Sequence, residues 1–309
     1  MKKWILKAVI QKGISYLPYN YKINYLFQKH VTKGVFLSDD YFFDKLIHTK
    51  KHLDYYTKLT NQVSPKKCFE LGTGWYPVVP IALFLSGAEE IVTTDITPLS
   101  DKQKFITSIE KFLVLQKQNN NEYSFLFNDK NRVSVLNEIL EKQDTLSFQD
   151  IQKKLNINYI KQDARKLSFS NNYFDFIISN NVFEHIYPHL LKDILVEFKR
   201  VWAKQGVMSH FIDMSDHFAH LDKTITIYNF LQFTDKQWNN IDNSVQPQNR
   251  MRIDEYVELY KELSIPINIR EDRKGDLDVL KTITLSEKYK SMPFEMVAIS
   301  HSYLASYNA

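Results

Sequence analysis

Residues 67–95 read KCFELGTGWYPVVPIALFLSGAEEIVTTD. The stretch Lys67 to Leu71 predicts a short strand, Gly72-Thr73-Gly74 a turn, the stretch from about Pro77 to Ser86 a helix, and Glu90 to Thr94 a second strand. That is one βαβ unit. Glycine is scarce in this chain, 7 in 309 residues, yet two fall within three positions here. Random placement would give only about 0.16 such pairs in the whole chain. At the carboxyl end of a parallel strand, a glycine turn lets a ligand come close to the backbone. Asp95 ends the second strand 21 positions after Gly74, near the spacing of about 20 expected for a carboxylate that takes ribose hydroxyls. A ligand containing a nucleoside is indicated.

The same alternation continues outward. Asn158 to Lys161 and Phe174 to Ser179 read as strands. A helix follows with Leu190, Leu191, Ile194, Leu195, Phe198, Val201 and Trp202 on one face. Gly206 is expected to end that helix, Val207 to Ile212 to form a strand, Ile253 to Leu263 a helix, and the chain near Ile267 and Val297 two last strands. Strands alternating with helices predict an α/β fold, a Rossmann-like three-layer αβα sandwich around a mostly parallel sheet. Residues 1–62 read as a helical amino-terminal extension leaving through the polar run 61–65, and 63–309 as the main domain. Within it, 101–156 is expected to be an inserted helical lid, with a polar break at Asn119-Asn120-Asn121 and a capping box between Ser147 and Asp150. Residues 213–252 are expected to form a cap segment on the substrate side.

Composition narrows the function classes. Hydrophobic residues are 44% and charged residues 25% of the chain, the balance of a folded globular protein rather than a disordered one. A net charge of +4 is too mild for a surface that wraps a polyanion, so no nucleic-acid partner is expected. Cys68 is alone, which excludes an intramolecular disulfide and fits the cytoplasm. The longest apolar run, Val78 to Leu85, is far short of the about 18 residues that a membrane span needs. Lys2, Lys3, Lys7 and Lys12 alternate with Leu6, Val9, Ile10 and Ile14 at helical spacing. This predicts an amphipathic basic helix that packs its apolar stripe on the main domain, with a pattern that also suits peripheral contact with the inner membrane face.

The kind of nucleoside turns on position 77. A dinucleotide fingerprint would carry glycine there, packing the helix beside a pyrophosphate; this chain carries Pro77, which has no N–H to offer a phosphate. S-adenosylmethionine has ribose and adenine without phosphate and fits better than a nicotinamide cofactor. On these residues the sequence resembles the class I S-adenosylmethionine-dependent methyltransferases. Phe69-Glu70-Leu71-Gly72-Thr73-Gly74 is similar to their cofactor loop, Thr94-Asp95 to their ribose-binding acid, and Gln162-Asp163-Ala164 to their adenine-contacting step. Phe174 through His185 is similar to their fourth strand and its turn, and Arg200 through Gly206 to the approach to the fifth. The resemblance implies a seven-stranded sheet with one antiparallel strand, and Glu70, Gly72, Thr73, Gly74, Asp95, Asp163, Ala164 and Asn180 as cofactor-binding residues. Two departures stand out: Trp75 where many members carry a third glycine, and a long link from Asp95 to Asn158. Residues 17–43 and 224–249 are loosely similar to bacterial methyltransferase-like proteins associated with cell-surface glycan synthesis.

Methyl transfer from a sulfonium is an in-line displacement, which asks the protein for alignment, exclusion of water and, for a hydroxyl acceptor, a base. Two clusters offer one. Glu184-His185 follows the fourth strand, where Asn181 and Glu184 would equally form a helix cap with its reciprocal carboxylate. His210, Asp213, Asp216, His217 and His220 fall within eleven positions after the fifth strand. His217 is the expected base, with Asp213 or Asp216 as orienting partner and His185 as a further candidate. The same set suits a divalent cation but lacks a tight ligand signature, so no metal is assigned; a purely structural loop is the alternative. Tyr228, Phe230, Phe233 and Trp238 stand among many amides, ahead of Arg250 and Arg252. They suit a polar, ring-shaped acceptor, or else a core. The expected reaction is O-methylation of a carbohydrate or other polar small molecule, and the rival reading is a methyltransferase-like scaffold without turnover.

Overall fold

Among the described residues, three helices precede the first strand: α1 (Lys3–Ser15), α2 (Asn20–Phe27) and α3 (Asp39–Thr60). The computed structural model describes residues 2–27, 36–118 and 120–309; residues 28–35, inside the stretch 17–43, and Asn119 of the polar break lie outside the described residues. Then follow β1 (Lys67–Leu71), α4 (Val78–Leu85), β2 (Glu90–Asp95), α5 (Lys102–Lys117), α6 (Lys130–Glu141), α7 (Phe148–Lys154) and β3 (Ile157–Lys161). The chain continues through β4 (Phe174–Asn180), α8 (Pro188–Val201), β5 (Trp202–Asp213), β6 (Ile269–Arg273) and β7 (His301–Tyr307), with shorter helices among them. The seven strands lie in the order β3-β2-β1-β4-β5-β7-β6. β1 pairs in parallel with β2 on one side and β4 on the other, and β2 with β3. The strand order therefore reverses at β1, and ligands of open α/β sheets bind beyond the carboxyl ends of the strands at such a switch point.

The chain folds as two compact units. One comprises residues 37–180, 194–210 and 305–309. In it, every residue of α4 is buried, as expected of a helix that is apolar all round. α3 starts at Ser38, whose Oγ accepts the N–H of Tyr41, and ends at Asn61 in the left-handed conformation. It packs on α4 and β4, so the expected boundary after residue 62 has no counterpart: the division falls before Leu37, ahead of α3. The insertion 101–156 is helical as expected, including the Ser147–Asp150 capping box. Phe105, Ile109, Phe112, Leu136, Ile139 and Ile151 are buried in the same core as α4, and each such side chain contributes about 1.5 to 3 kcal/mol.

The other unit comprises residues 1–36, 181–193 and 211–304. Its core gathers Trp4, Phe218, Tyr228, Phe230, Trp238 and Tyr289. The aromatic run 228–238 is thus core rather than an acceptor-stacking surface, because its rings pack on one another, as Trp238 does with Phe230 and Phe233. Arg252 is fully buried and donates to the carbonyl oxygens of Met214 and Val297 at 2.6 and 2.7 Å, which makes it a tether between loops. The stripe that α1 buries also differs from expectation. Trp4, Ala8, Gln11 and Ile14 face inward, while Leu6 and Val9 are 46% and 60% exposed, because the one tryptophan of the helix sets the inward face. No described helix is long and apolar enough to cross a membrane.

Two strand limits differ from the pattern. β5 starts at Trp202, straight after α8, and runs through Gly206. A Cβ at 206 would come within 2.9 Å of the carbonyl oxygens of Ala203 and Asp175, so this glycine serves close backbone approach inside a strand rather than a helix stop. Val297 lies in a short helix, Phe294–Ala298, and the last strand begins only at His301.

Candidate active site

The turn after β1 is built as its glycines demand. Gly72 and Gly74 have φ of +85° and +70°, a conformation that costs other residues about 1 to 2 kcal/mol. Gly72 N–H donates to Thr94 O at 2.8 Å and Gly74 N–H to Asp95 Oδ2 at 3.2 Å, which ties the turn to the end of β2. Beneath it, Glu70 is buried and accepts the Thr93 hydroxyl at 2.6 Å, and Thr93 also hydrogen-bonds Thr73. Burial pushes the Glu70 carboxyl up to about 7, against the Thr93 hydrogen bond and the charge of Lys45. Burial, then the charge of Glu70, raises Asp95 as well. Tyr41, on α3, brings its hydroxyl within 3.5 Å of where a Cβ at residue 74 would stand.

At the end of β4, Asn180 is almost wholly buried. Its Oδ1 lies 2.9 Å from His52 Nε2, and His52 Nδ1 lies 2.6 Å from Ser209 Oγ. An amide oxygen only accepts, so the ring proton sits on Nε2 and Nδ1 accepts the Ser209 hydroxyl. Burial lowers His52 to about 3, which keeps the ring neutral. The Asn180 amide Nδ2 donates to nothing among the described residues. His210 makes a parallel pair with Ser179 Oγ at 2.8 Å. Asp163 follows β3 and is held by Arg165 at 2.6 Å, with Ala164 buried beside it.

The second unit places the candidate base. Asp213, at the end of β5, stands between two imidazoles: His217 Nε2 is 3.3 Å from Oδ2, off the line of an ideal hydrogen bond, and His301 Nε2 is 3.2 Å from Oδ1. Ser215 N–H donates to Oδ1 at 2.8 Å. Burial alone would raise this carboxyl; the contact with His217, the charges of both rings and the Ser215 N–H hold it well below the usual range. Asp216 takes no part. Its oxygens accept Asn229 Nδ2 at 3.0 Å and Phe218 N–H at 2.8 Å, so of the two expected partners only Asp213 meets His217. His185 comes to 4.8 Å from His217 between ring centroids, and burial lowers it to about 3. Asn181 does not cap a helix there: it has φ of +54° and the following turn, Phe183–His185, is a single 3-10 turn without a side-chain cap. His185, His217, Lys7 and Gln248 line a cavity of about 10 Å³.

The expected cofactor set thus lies in one unit and the expected base set in the other. Sequence reasoning missed His52, Tyr41 and His301. The first two come from α3, read as part of a separate extension, and His301 from a strand placed too early; only long-range packing brings them in.

Residues 128–209 match the family model of the methyltransferase domain. No curated protein matches the chain. Among solved structures, geranyl diphosphate methyltransferase in complex with SAM is similar at 9% identity, 88% of this chain and 92% of that one, with a TM-score of 0.45. A SAM-dependent methyltransferase of Methanosarcina mazei is similar at 13% identity, 80% and 93% of the two chains and a TM-score of 0.43. The [4+2]-cyclase SpnF is similar at 9%, 84% and 80%, and 0.43. These likenesses are low. The family match makes residues 128–209 similar to a methyltransferase domain, and the strand order agrees with the sheet that the resemblance implies. The turn fits S-adenosylmethionine as cofactor: two left-handed glycines open the backbone, a carboxylate ends β2, and a buried amide of Asn180 has a donor to spare. When bound, the cofactor supplies the methyl group from its sulfonium.

Proposed function

We propose that the chain methylates a hydroxyl oxygen on a carbohydrate or other polar small molecule. The observation that carries this reading is the buried Asp213 carboxylate against His217. A carboxylate fixed beside an imidazole orients the ring and raises its basicity, as removal of a hydroxyl proton requires. His301 on the far oxygen and the Ser215 N–H keep Asp213 ionised, so the pair is set before an acceptor arrives.

For the donor, Glu70, Gly72, Thr73, Gly74, Asp95, Asp163, Ala164 and Asn180 form the proposed cofactor set, with Asp95 taking the ribose hydroxyls. Replacing Asp95 with Ala is expected to weaken adenosylhomocysteine at least about 30-fold, because a charged hydrogen-bond acceptor contributes about 2 to 3 kcal/mol. Calorimetric titration checks this, and undiminished affinity removes Asp95 from the site.

The acceptor class is tested by incubating the protein with methyl-labelled donor and fractionated cell extracts. Label is expected in glycans or polar small molecules, as base-stable ethers. Label in nucleic acid or protein overturns the acceptor assignment.

A further inference from the structure

Glu184, His185 and His217 bring one carboxylate oxygen and two imidazole nitrogens within 4.8 Å of one another. Proximity is not the whole of it. His185 Nδ1 lies 2.7 Å from the carbonyl oxygen of Pro247. That oxygen only accepts, so the proton sits on Nδ1 and Nε2 keeps its lone pair. His217 Nε2 faces the Asp213 carboxylate at 3.3 Å, which leaves Nδ1 as its lone-pair nitrogen. Outer partners of this kind, a carbonyl for one ring and a carboxylate for the other, are what fix the tautomer and direction of metal-bound histidines. Glu184 is 2% exposed, so its carboxylate is held in place beside the two rings.

We propose that Glu184, His185 and His217 bind one divalent transition-metal cation, with Asp213 and the Pro247 carbonyl as positioning partners. Two imidazoles and one carboxylate suit zinc, iron(II), manganese or cobalt better than magnesium or calcium, which prefer all-oxygen shells. Bonds of about 2.0 to 2.2 Å set neighbouring ligand atoms roughly 3 to 3.5 Å apart, so loading draws the three together by about 1 to 2 Å. The cavity lined by His185 and His217 has room for about one water at an open position. Lys7 lines the same cavity, and its ammonium is the rival source of positive charge.

The binding stands independently of the proposed reaction. The use of the cation rests on methylation at oxygen: a hydroxyl bound to a divalent cation gives up its proton to solvent water more readily, its oxygen then takes the methyl group, and His217, its lone pair taken up by the metal, holds the cation instead of acting as base.

Chelator-stripped full-length protein titrated with Co²⁺ alone, read by visible d–d absorption and by calorimetry, tests the site. One Co²⁺ per chain is expected, displaced by Zn²⁺. Glu184→Gln and His217→Ala should weaken it by about 100-fold or more, Asp213→Asn by about 10-fold, and His189→Gln not at all. Circular dichroism checks that each variant folds, and Asp213→Asn, which keeps the shape of the side chain, carries the test if the other two do not fold. Absence of stoichiometric Co²⁺ binding in the unaltered protein overturns the site, as does equal binding by Asp213→Asn and Glu184→Gln. If Lys7→Met alone creates binding that the unaltered protein lacks, the lysine is the native counter-charge and the proposal falls. Failure here leaves methylation with a free His217 as base; intact Co²⁺ binding without transfer to any hydroxyl leaves the site and removes the reaction.

Discussion

Two groups of buried histidines use the same ring to different ends. His52 and His210 hydrogen-bond neutral groups, the Asn180 amide and the hydroxyls of Ser209 and Ser179. Burial then pushes His52 to about 3 and His210 well below its ordinary value. His217 and His301 instead flank the carboxylate of Asp213. A hydroxyl or amide can hold a neutral ring in place but does little to stabilise an imidazolium; a carboxylate does both. His52 is therefore scaffold, tying α3 to β4 and β5, and His217 and His301 are the rings set against a charged group. The partner, not the histidine, decides.

The largest effect expected from this contrast is on turnover. His217→Gln should lower kcat about 10²- to 10⁴-fold, measured by label transfer once an acceptor is in hand, with affinity for adenosylhomocysteine unchanged. The loss is expected whether His217 acts as base or as ligand to a cation. Unchanged kcat would break the comparison, because His217 would then be as structural as His52.

The first βαβ unit and the cofactor turn were legible because their signals are local. A strand, two glycines, Pro77 and a carboxylate lie within 29 residues, 67–95, and β1, α4 and β2 stand where that run predicts them. The base was half legible. Asp213 and His217 are four positions apart, within reach of sequence reasoning, but choosing Asp213 over Asp216 needed Asn229 and the Phe218 N–H, which occupy Asp216. His301 is 88 positions from Asp213 and meets it only through the fold. Composition left the aromatics of 228–238 open between an acceptor surface and a core; Trp238 and Phe230 are core, because enclosing a large apolar core outweighs the polar residues interspersed along the segment.

The smaller effect concerns stability, and it sharpens the neutral half of the contrast. A ring held near 3 in the fold against about 6.5 in the unfolded chain binds its proton later on folding, so the unfolded state takes up more protons between those values. The stability that the neutral His52 confers is then fully present above about pH 6.5 and is lost as the pH falls toward 3. Glu70 works in the opposite sense: its carboxyl is raised to about 7, so its contribution grows as the pH drops from there toward its unfolded value of about 4.5. Comparing His52→Gln with the unaltered chain cancels Glu70 and isolates the histidine. Urea unfolding at pH 7, 5.5 and 4 should find the variant less stable at pH 7, since Gln fills the Asn180 and Ser209 hydrogen bonds imperfectly, but losing less on acidification, by about 3 kcal/mol between pH 7 and pH 4. Parallel pH curves for the two proteins would mean that His52 titrates normally in the fold. The ring would then tolerate charge among neutral partners, and the distinction drawn between the two histidine groups would have to rest on geometry alone.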